Sequence, residues 1–223
     1  MREAGVLMPV SALPSRVGAG ELGESAFHFI ELLKKNHVRI WQILPLNPVG
    51  YGNSPYQPYS SCAGDDIYIS LDTLAEEGLL KKSPMLFLEK CKKVDYERVR
   101  QYREPYLRAA FMAFVEQKGY EKPEYKEFAA QSWVYEYGVF RALKKANNGA
   151  CWNEWPEEDR TWPENRHVLD TETEAEARYQ MFLQYIFYTQ WMKVKKAANE
   201  AGIQIMGDVP FYVGQDSVDV WGG

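Results

Sequence analysis

Three short apolar runs punctuate the chain. Gly5 to Val10 reads GVLMPV, Val38 to Leu44 reads VRIWQIL, and Ile203 to Val209 reads IQIMGDV. Between the first two, Ala26, Phe29, Ile30 and Leu33 recur at helical spacing. That spacing predicts a helix over 24–36, with Lys34 and Lys35 in its last turn, where cations suit the helix dipole. Strand, helix and strand in succession form a βαβ unit, which implies parallel neighbours and a right-handed crossover. A second, long helix is predicted over about 171–201. Its start is acidic (Glu172, Glu174, Glu176), its end is basic (Lys193, Lys195, Lys196), and Gly202 falls at the C-cap. Met181, Tyr185, Tyr188 and Met192 share one stripe of this helix, the expected core face. The third apolar run follows directly, as a helix-to-parallel-strand return would.

The stretch from Asp72 to Asn147 is mainly helical and charged in pattern, with breaks expected at Gly78, Pro84, Pro105, Gly119 and Pro123. Asp65 to Leu71 (DDIYISL) alternates like a short strand. Two segments carry little period and read as loops: 46–64, and the Trp-dense 148–163 with Trp152, Trp155 and Trp162. The fold class that emerges is α/β: a partial (β/α)8 TIM-type barrel of about the first three βα units, with a large, mainly helical insertion between strands 2 and 3. The segments are 1–64 (two barrel strands and a substrate loop), 65–165 (the helical insertion) and 166–223 (long helix, third strand and following loop). Three strands do not close a barrel of eight. The first and third would carry bare parallel edges, which predicts poor solubility or self-association.

Composition narrows the classes of function. The net charge of -5 argues against a nucleic-acid binder or a polybasic membrane-surface protein. No apolar run approaches the ~20 residues that span a bilayer. The opening Met1 to Gly5 lacks the apolar stretch of a secretory signal. Cys62, Cys91 and Cys151 form no CxxC pair, so neither a disulfide framework nor a zinc site is indicated, and a reducing cytoplasm fits. His28, His37 and His167 are scattered without metal-ligand spacing. Aromatic residues reach 14%, with seven Trp and fifteen Tyr. Flat rings pack on the C–H faces of sugars, but they also build cores, and composition by itself favours the core.

Three motifs carry candidate chemistry. Gly18 to Gly23 spells GxGxxG between a strand and a helix, the pattern that cradles a dinucleotide pyrophosphate. The glycines sit too far past the first strand, however, and no acidic residue closes the second strand to hold a ribose. They read as a flexible Gly-rich loop. Gly50 to Ser60 (GYGNSPYQPYS) follows the carboxyl end of a parallel strand, the face where barrel enzymes build their sites. It offers rings, hydroxyls and amides to a polyhydroxylated ligand, and it equally suits a Pro-fixed surface loop. Asp208 ends the third strand, placed either to hydrogen-bond sugar hydroxyls in a barrel mouth or to turn the following loop through its own backbone. Asp216 and Asp219 lie in a polar stretch and read as solvated.

The blocks MPVSALPSRVGAGELG, RIWQILPLNPVGYGNSPYQPYSSCAG, FLQYIFYTQW and GIQIMGDVPFYVGQDSVDVW resemble, in order and spacing, those of amylomaltase-type 4-alpha-glucanotransferases. The similarity runs from about residue 2 to 221. It implies a (β/α)8 barrel enzyme that transfers α-1,4-glucan segments between maltooligosaccharides and needs no metal or nucleotide cofactor. It also implies retention of configuration: a carboxylate nucleophile, a glycosyl-enzyme intermediate and a carboxylic acid that protonates the leaving oxygen. The 4-hydroxyl of a glucose or maltooligosaccharide acceptor then completes the transfer. By the same resemblance Tyr56 is the ring beside the sugar at the cleavage point, and Asp208 is the family's Asp at the end of the third strand. Ser54 and Gln57 become donor-site contacts. The family's nucleophilic Asp, acid Glu and stabilising Asp match nothing in residues 1–223. The chain is therefore expected to hold no catalytic residue and to be inactive alone. The alternative is a non-catalytic module that binds glucan or a partner, with a dinucleotide-dependent oxidoreductase a more distant third.

Overall fold

The computed structural model describes residues 3–81 and 93–222. In chain order its elements are β1 (Gly5–Leu7), α1 (Glu24–Lys35), β2 (Ile40–Gln42), α2 (Leu71–Glu76), α3 (Tyr96–Glu116), α4 (Pro123–Ala129) and α5 (Ser132–Ala146). They continue with α6 (Glu157–Arg160), α7 (Trp162–Asn165), α8 (Thr171–Glu200), β3 (Gln204–Met206) and α9 (Val218–Trp221). Two units form, each with its own contacts: residues 1–46, 65–117 and 186–209, and residues 47–64, 118–185 and 210–223. Residues 47–64 thus group apart from the strands that precede them. Among the described residues, no helix is long and apolar enough to cross a membrane. Cys62 and Cys151 are free thiols. The break expected at Pro84, and Cys91, lie outside the described residues.

The first unit is built on the expected sheet. Its three strands are parallel in the order β1-β2-β3, with Trp41 paired to Val6 on one side and Ile205 on the other. Trp41 is fully buried. Its Nε1 donates to Met8 O at 2.8 Å, and its ring meets Phe29 of α1 edge-on at 5.1 Å. A central strand with one large buried residue and half-buried neighbours needs its polar indole atom satisfied, and the backbone beside β1 supplies the acceptor. The outer strands are more exposed at their ends, Leu7 and Met206 among them.

The GxGxxG segment is not a flexible loop but a packed one. Val17, Ala19 and Leu22 are buried, and Leu22 N–H donates to Tyr68 O at 2.8 Å. A Cβ on Gly20 would stand 1.9 Å from Val10 O, and one on Gly23 would stand 2.4 Å from Ser70 Oγ. Glu21, between them, accepts hydrogen bonds from the buried Arg103 guanidinium at 2.7 Å and from Leu71 N–H at 3.3 Å. These glycines serve close packing of one backbone on another.

Asp65 to Leu71 is not a strand. Asp66–Tyr68 forms a 3-10 turn, and Ser70 then caps α2 through a hydrogen bond from Thr73 N–H. The alternation that resembles a strand is real as burial, since Ile67, Ile69 and Leu71 are all buried. The backbone, however, finds side-chain partners instead of a neighbouring strand. Gln190 of α8 clamps Ser70 from both sides: Ser70 N–H donates to Gln190 Oε1 at 2.6 Å, and Gln190 Nε2 donates to Ser70 O at 3.1 Å. Pro105 likewise does not break its helix but lies inside α3. Residues on both sides of it are fixed. Arg100 is paired to Asp65 and Asp66, Arg103 to Glu21, and Leu107, Ala110 and Phe114 are buried. Those contacts offset the roughly 3 kcal/mol that an internal proline costs.

Asp65 is buried, and its two carboxylate oxygens accept from Arg100 at 2.8 and 2.7 Å. Burial opposes its ionisation, but Arg100 and the Ile67 N–H outweigh burial and hold the carboxyl below its usual range. A depressed carboxylate stabilises the fold above its unfolded-state pKa of about 3.9, and that stability is lost as pH falls through the lower folded-state value. We expect Asp65→Asn to cost about 1–3 kcal/mol at pH 7, because Arg100 loses its buried two-oxygen partner and keeps only Asp66. Urea unfolding of both proteins at pH 7 and pH 3 checks this: the gap between them should narrow in acid, and an unchanged gap would refute the linkage.

The second unit is held by rings. Phe140, Trp155, Trp162 and Trp221 pack with Val139, Ala142, Leu143 and Ala177 as one buried cluster. The segment 148–163, read as a loop, contains a 3-10 turn at Trp152–Glu154 and the short helices α6 and α7. Its tryptophans supply that core. Their indole N–H groups find carbonyls, Trp155 on Ala150 O at 2.9 Å and Trp162 on His167 O at 3.0 Å. Gly138 of α5 lets Ala177 O approach: a Cβ there would lie 2.8 Å from it.

α8 begins where expected. Asp170 accepts from Glu172 N–H and Thr173 N–H, a side-chain N-cap. Of the expected core stripe Met181 is buried, but the main buried face lies elsewhere. Tyr179, Phe182, Leu183, Ile186, Phe187, Val194 and Ala198 are buried, while Tyr185 and Tyr188 are half-buried and Met192 is 53% exposed.

Candidate functional site

Three of the four residues expected to touch substrate share one hairpin of the second unit. Val49 and Pro58 pair as an antiparallel bridge. Gly50 N–H donates to Gln57 O at 3.1 Å and Tyr59 N–H to Pro48 O at 2.9 Å, which closes the two arms on each other. A side chain at Gly50 would collide with Gln57 O, 2.8 Å from its Cβ, so this narrow hairpin requires glycine there. At the tip, Ser54 Oγ accepts from Tyr56 N–H at 3.3 Å, and Ser54 O accepts from Gln57 N–H at 3.2 Å. Ser54 is half-buried and shapes the turn. Tyr56 is 41% exposed, and Gln57 is exposed. A phenol ring and a carboxamide are thereby displayed side by side on a fixed backbone.

The base of the hairpin is pinned on every side. Asn47 Nδ2 donates to Ser61 O and Ala63 O, both at 3.0 Å. The buried Ser60 hydroxyl accepts from Cys62 N–H and Ala63 N–H. Gln184 of α8 clamps Gly64 as a peptide group would, receiving its N–H at 2.8 Å and donating to its carbonyl at 2.9 Å. Asp219 is not merely solvated: its two oxygens accept from Ser61 N–H at 2.8 Å and Ser61 Oγ at 2.6 Å. Asp216, although half-exposed, is also paired: Lys144 Nζ donates to its Oδ2 at 2.6 Å. The sequence reading missed Gln184, Lys144, Asp216 and Asp219 as loop-fixing residues. The signal was present for Gln184, a glutamine inside the apolar run MFLQYIF.

Asp208 belongs to the first unit, beyond the end of β3. It is half-buried, and its Oδ1 accepts from the N–H of Val209 at 2.9 Å. Among the described residues, no group of three or more His, Cys, Asp or Glu could hold a metal ion.

Comparison with known proteins places the chain in a carbohydrate-active family. The glycoside hydrolase 77 family model, described as 4-alpha-glucanotransferase, matches residues 8–223. The chain belongs to the 4-alpha-glucanotransferase family. A 4-alpha-glucanotransferase of Synechocystis is 41% identical over 99% of this chain, and one of Thermus thermophilus is 37% identical over 99%. The amylomaltase of Streptococcus agalactiae, solved in complex with acarbose, superposes with a TM-score of 0.91 at 32% identity over 99% of the chain. This chain spans only 45% and 44% of the two curated relatives and 46% of the solved one.

Proposed function

We propose that this chain carries part of the donor-sugar site of a 4-alpha-glucanotransferase. In this reading its parallel sheet is the opening of a (β/α)8 barrel. The whole protein moves α-1,4-glucan segments onto the 4-hydroxyl of a glucose or maltooligosaccharide acceptor, with retention of configuration. Tyr56 packs its ring on a glucose face, Gln57 and Ser54 hydrogen-bond the sugar hydroxyls, and Asp208 does the same with the carboxylate oxygens. No residue of this chain is assigned as nucleophile or acid. The observation that carries the reading is the partly exposed Tyr56 ring on a hairpin closed by backbone bonds and pinned at its base. A pre-set ring loses little side-chain freedom on binding, so most of its contact energy is realised. The acarbose complex of the streptococcal amylomaltase supports an oligosaccharide ligand.

Titration with maltoheptaose tests it. Tyr56→Ala should weaken binding roughly tenfold, about 1.4 kcal/mol, and Tyr56→Phe should keep most of the affinity because the ring face remains. Equal affinity of the alanine variant and the wild type would remove Tyr56 from the site.

A further inference from the structure

Lys144 is the least expected residue in the second unit. It lies in α5 beside the buried Leu143 and is only 6% exposed, although lysine is almost never so buried unless paired. Its Nζ donates to Asp216 Oδ2 at 2.6 Å and to Ala150 O at 3.1 Å, and it stands 5.1 Å from the centre of the Tyr59 ring. Arg141, one turn earlier, sits over the same ring at 5.4 Å, and Phe140 packs against it. Tyr59 is thus held by two cations and a ring, and it is also the residue that ends the hairpin displaying Tyr56.

The partner of Lys144 reaches the same hairpin by a second route. Asp216 belongs to a segment fastened by Trp152 Nε1 to Gln215 O at 2.7 Å and by Ser217 Oγ to Gly214 O at 2.6 Å. That segment continues into Val218, whose N–H donates to Tyr59 O at 2.8 Å, and Asp219, which binds Ser61. The ion pair therefore closes a ring of contacts: Lys144 to Asp216, along the chain to Val218 and Asp219, across to Tyr59 and Ser61, and back through the Tyr59 face to Lys144. The pair is poorly suited to plain stabilisation. Asp216 Oδ1 is buried with no hydrogen-bond partner among the described residues, and a buried ion pair often does no better than apolar groups of the same volume.

We propose that Lys144, acting with Asp216, is a positioning residue for the glucan loop: it fixes Tyr59, and through it the 48–59 hairpin, in the conformation that presents Tyr56. The inference rests on the glucan-binding reading of Tyr56. It adds that part of the affinity comes from the loop being held before sugar arrives.

Removing Lys144 alone would leave the half-buried Asp216 carboxylate unpaired and could disturb the fold, so the test uses the charge-free pair, Lys144→Met with Asp216→Asn. Three measurements are made on the 223-residue chain: thermal unfolding, hydrogen exchange at the Gly50, Gln57 and Tyr59 amides, and maltoheptaose affinity beside Tyr56→Ala. The double variant should melt close to the wild type, exchange at those three amides at least about tenfold faster, and bind maltoheptaose about tenfold more weakly. A purely structural pair would shift melting and leave loop exchange unchanged; wild-type exchange at the three amides overturns the proposal whatever the sugar result. Faster exchange with unchanged affinity, while Tyr56→Ala binds weakly, overturns it and leaves the glucan site standing. If Tyr56→Ala binds like the wild type, the glucan reading falls and takes the role of Lys144 with it.

Discussion

Trp162→Ala should destabilise the second unit by about 3–5 kcal/mol, the cost of emptying a large aromatic site. The ring is 2% exposed. It stacks on Trp221 at 5.8 Å with 12° between planes, takes Tyr135 edge-on at 5.9 Å, and carries the Arg166 guanidinium 4.6 Å above its centre. Alanine removes all three contacts and strands the His167 carbonyl that the indole N–H satisfies. Against a domain stability of about 5–15 kcal/mol, that is a large fraction. Trp162→Phe should recover part of the loss, since a smaller ring still packs. Denaturant unfolding, with exchange at α5 amides to assign the change to this unit, checks the value. A loss under about 1 kcal/mol would show that the ring cluster is not the unit's core.

The second large effect belongs to a polar residue. Gln190→Leu keeps approximate volume but leaves Ser70 N–H and Ser70 O without their partner in a buried setting. Each orphaned group costs about 1–3 kcal/mol, so the substitution should cost about 2–5 kcal/mol in the first unit. Gln190→Glu should be milder only as the neutral acid, which accepts from Ser70 N–H and donates its O–H to Ser70 O, so its cost should rise with pH as a buried carboxylate comes to face that carbonyl. Urea unfolding, read with the exchange rate of the Ser70 amide, distinguishes the two. If leucine were tolerated within 0.5 kcal/mol, roughly the scatter of neutral substitutions, water would have to satisfy Ser70 instead.

These two residues also mark the boundary of what the sequence disclosed. The sheet was legible because β1, β2 and β3 lie in short apolar runs that alternate with long helical segments. Their parallel order follows from the intervening helices. α1 and α8 were legible at their ends, where capping and charge act locally. Tertiary structure decided the rest. Pro105 is tolerated because distant carboxylates, Asp65 and Glu21, hold the arginines before it and a buried stripe holds α3 after it. Asp65 to Leu71 alternates like a strand, yet its backbone closes a local 3-10 turn and is clamped at Ser70 by a side chain 120 residues away. The buried stripe of α8 was only partly placed: Met181 is buried, but several apolar stripes compete along the middle of the helix. In the candidate site, the rings and amides of the hairpin were visible as composition. The clamp of Gln184 and the Lys144–Asp216 pair were not, because they join positions 120 and 72 residues apart.

The close approach at Gly20 and Gly23 bears on how this chain can drift. A mutation at either position meets a backbone oxygen or a buried hydroxyl at once, so purifying pressure there would come from steric exclusion and have no ligand behind it. Any descendant that keeps this packing keeps the last two glycines of a nucleotide fingerprint, and the positive φ of Gly18 favours keeping the first. Loss of the pattern in a relative would then signal a rebuilt turn between β1 and α1, and would say nothing about a lost cofactor.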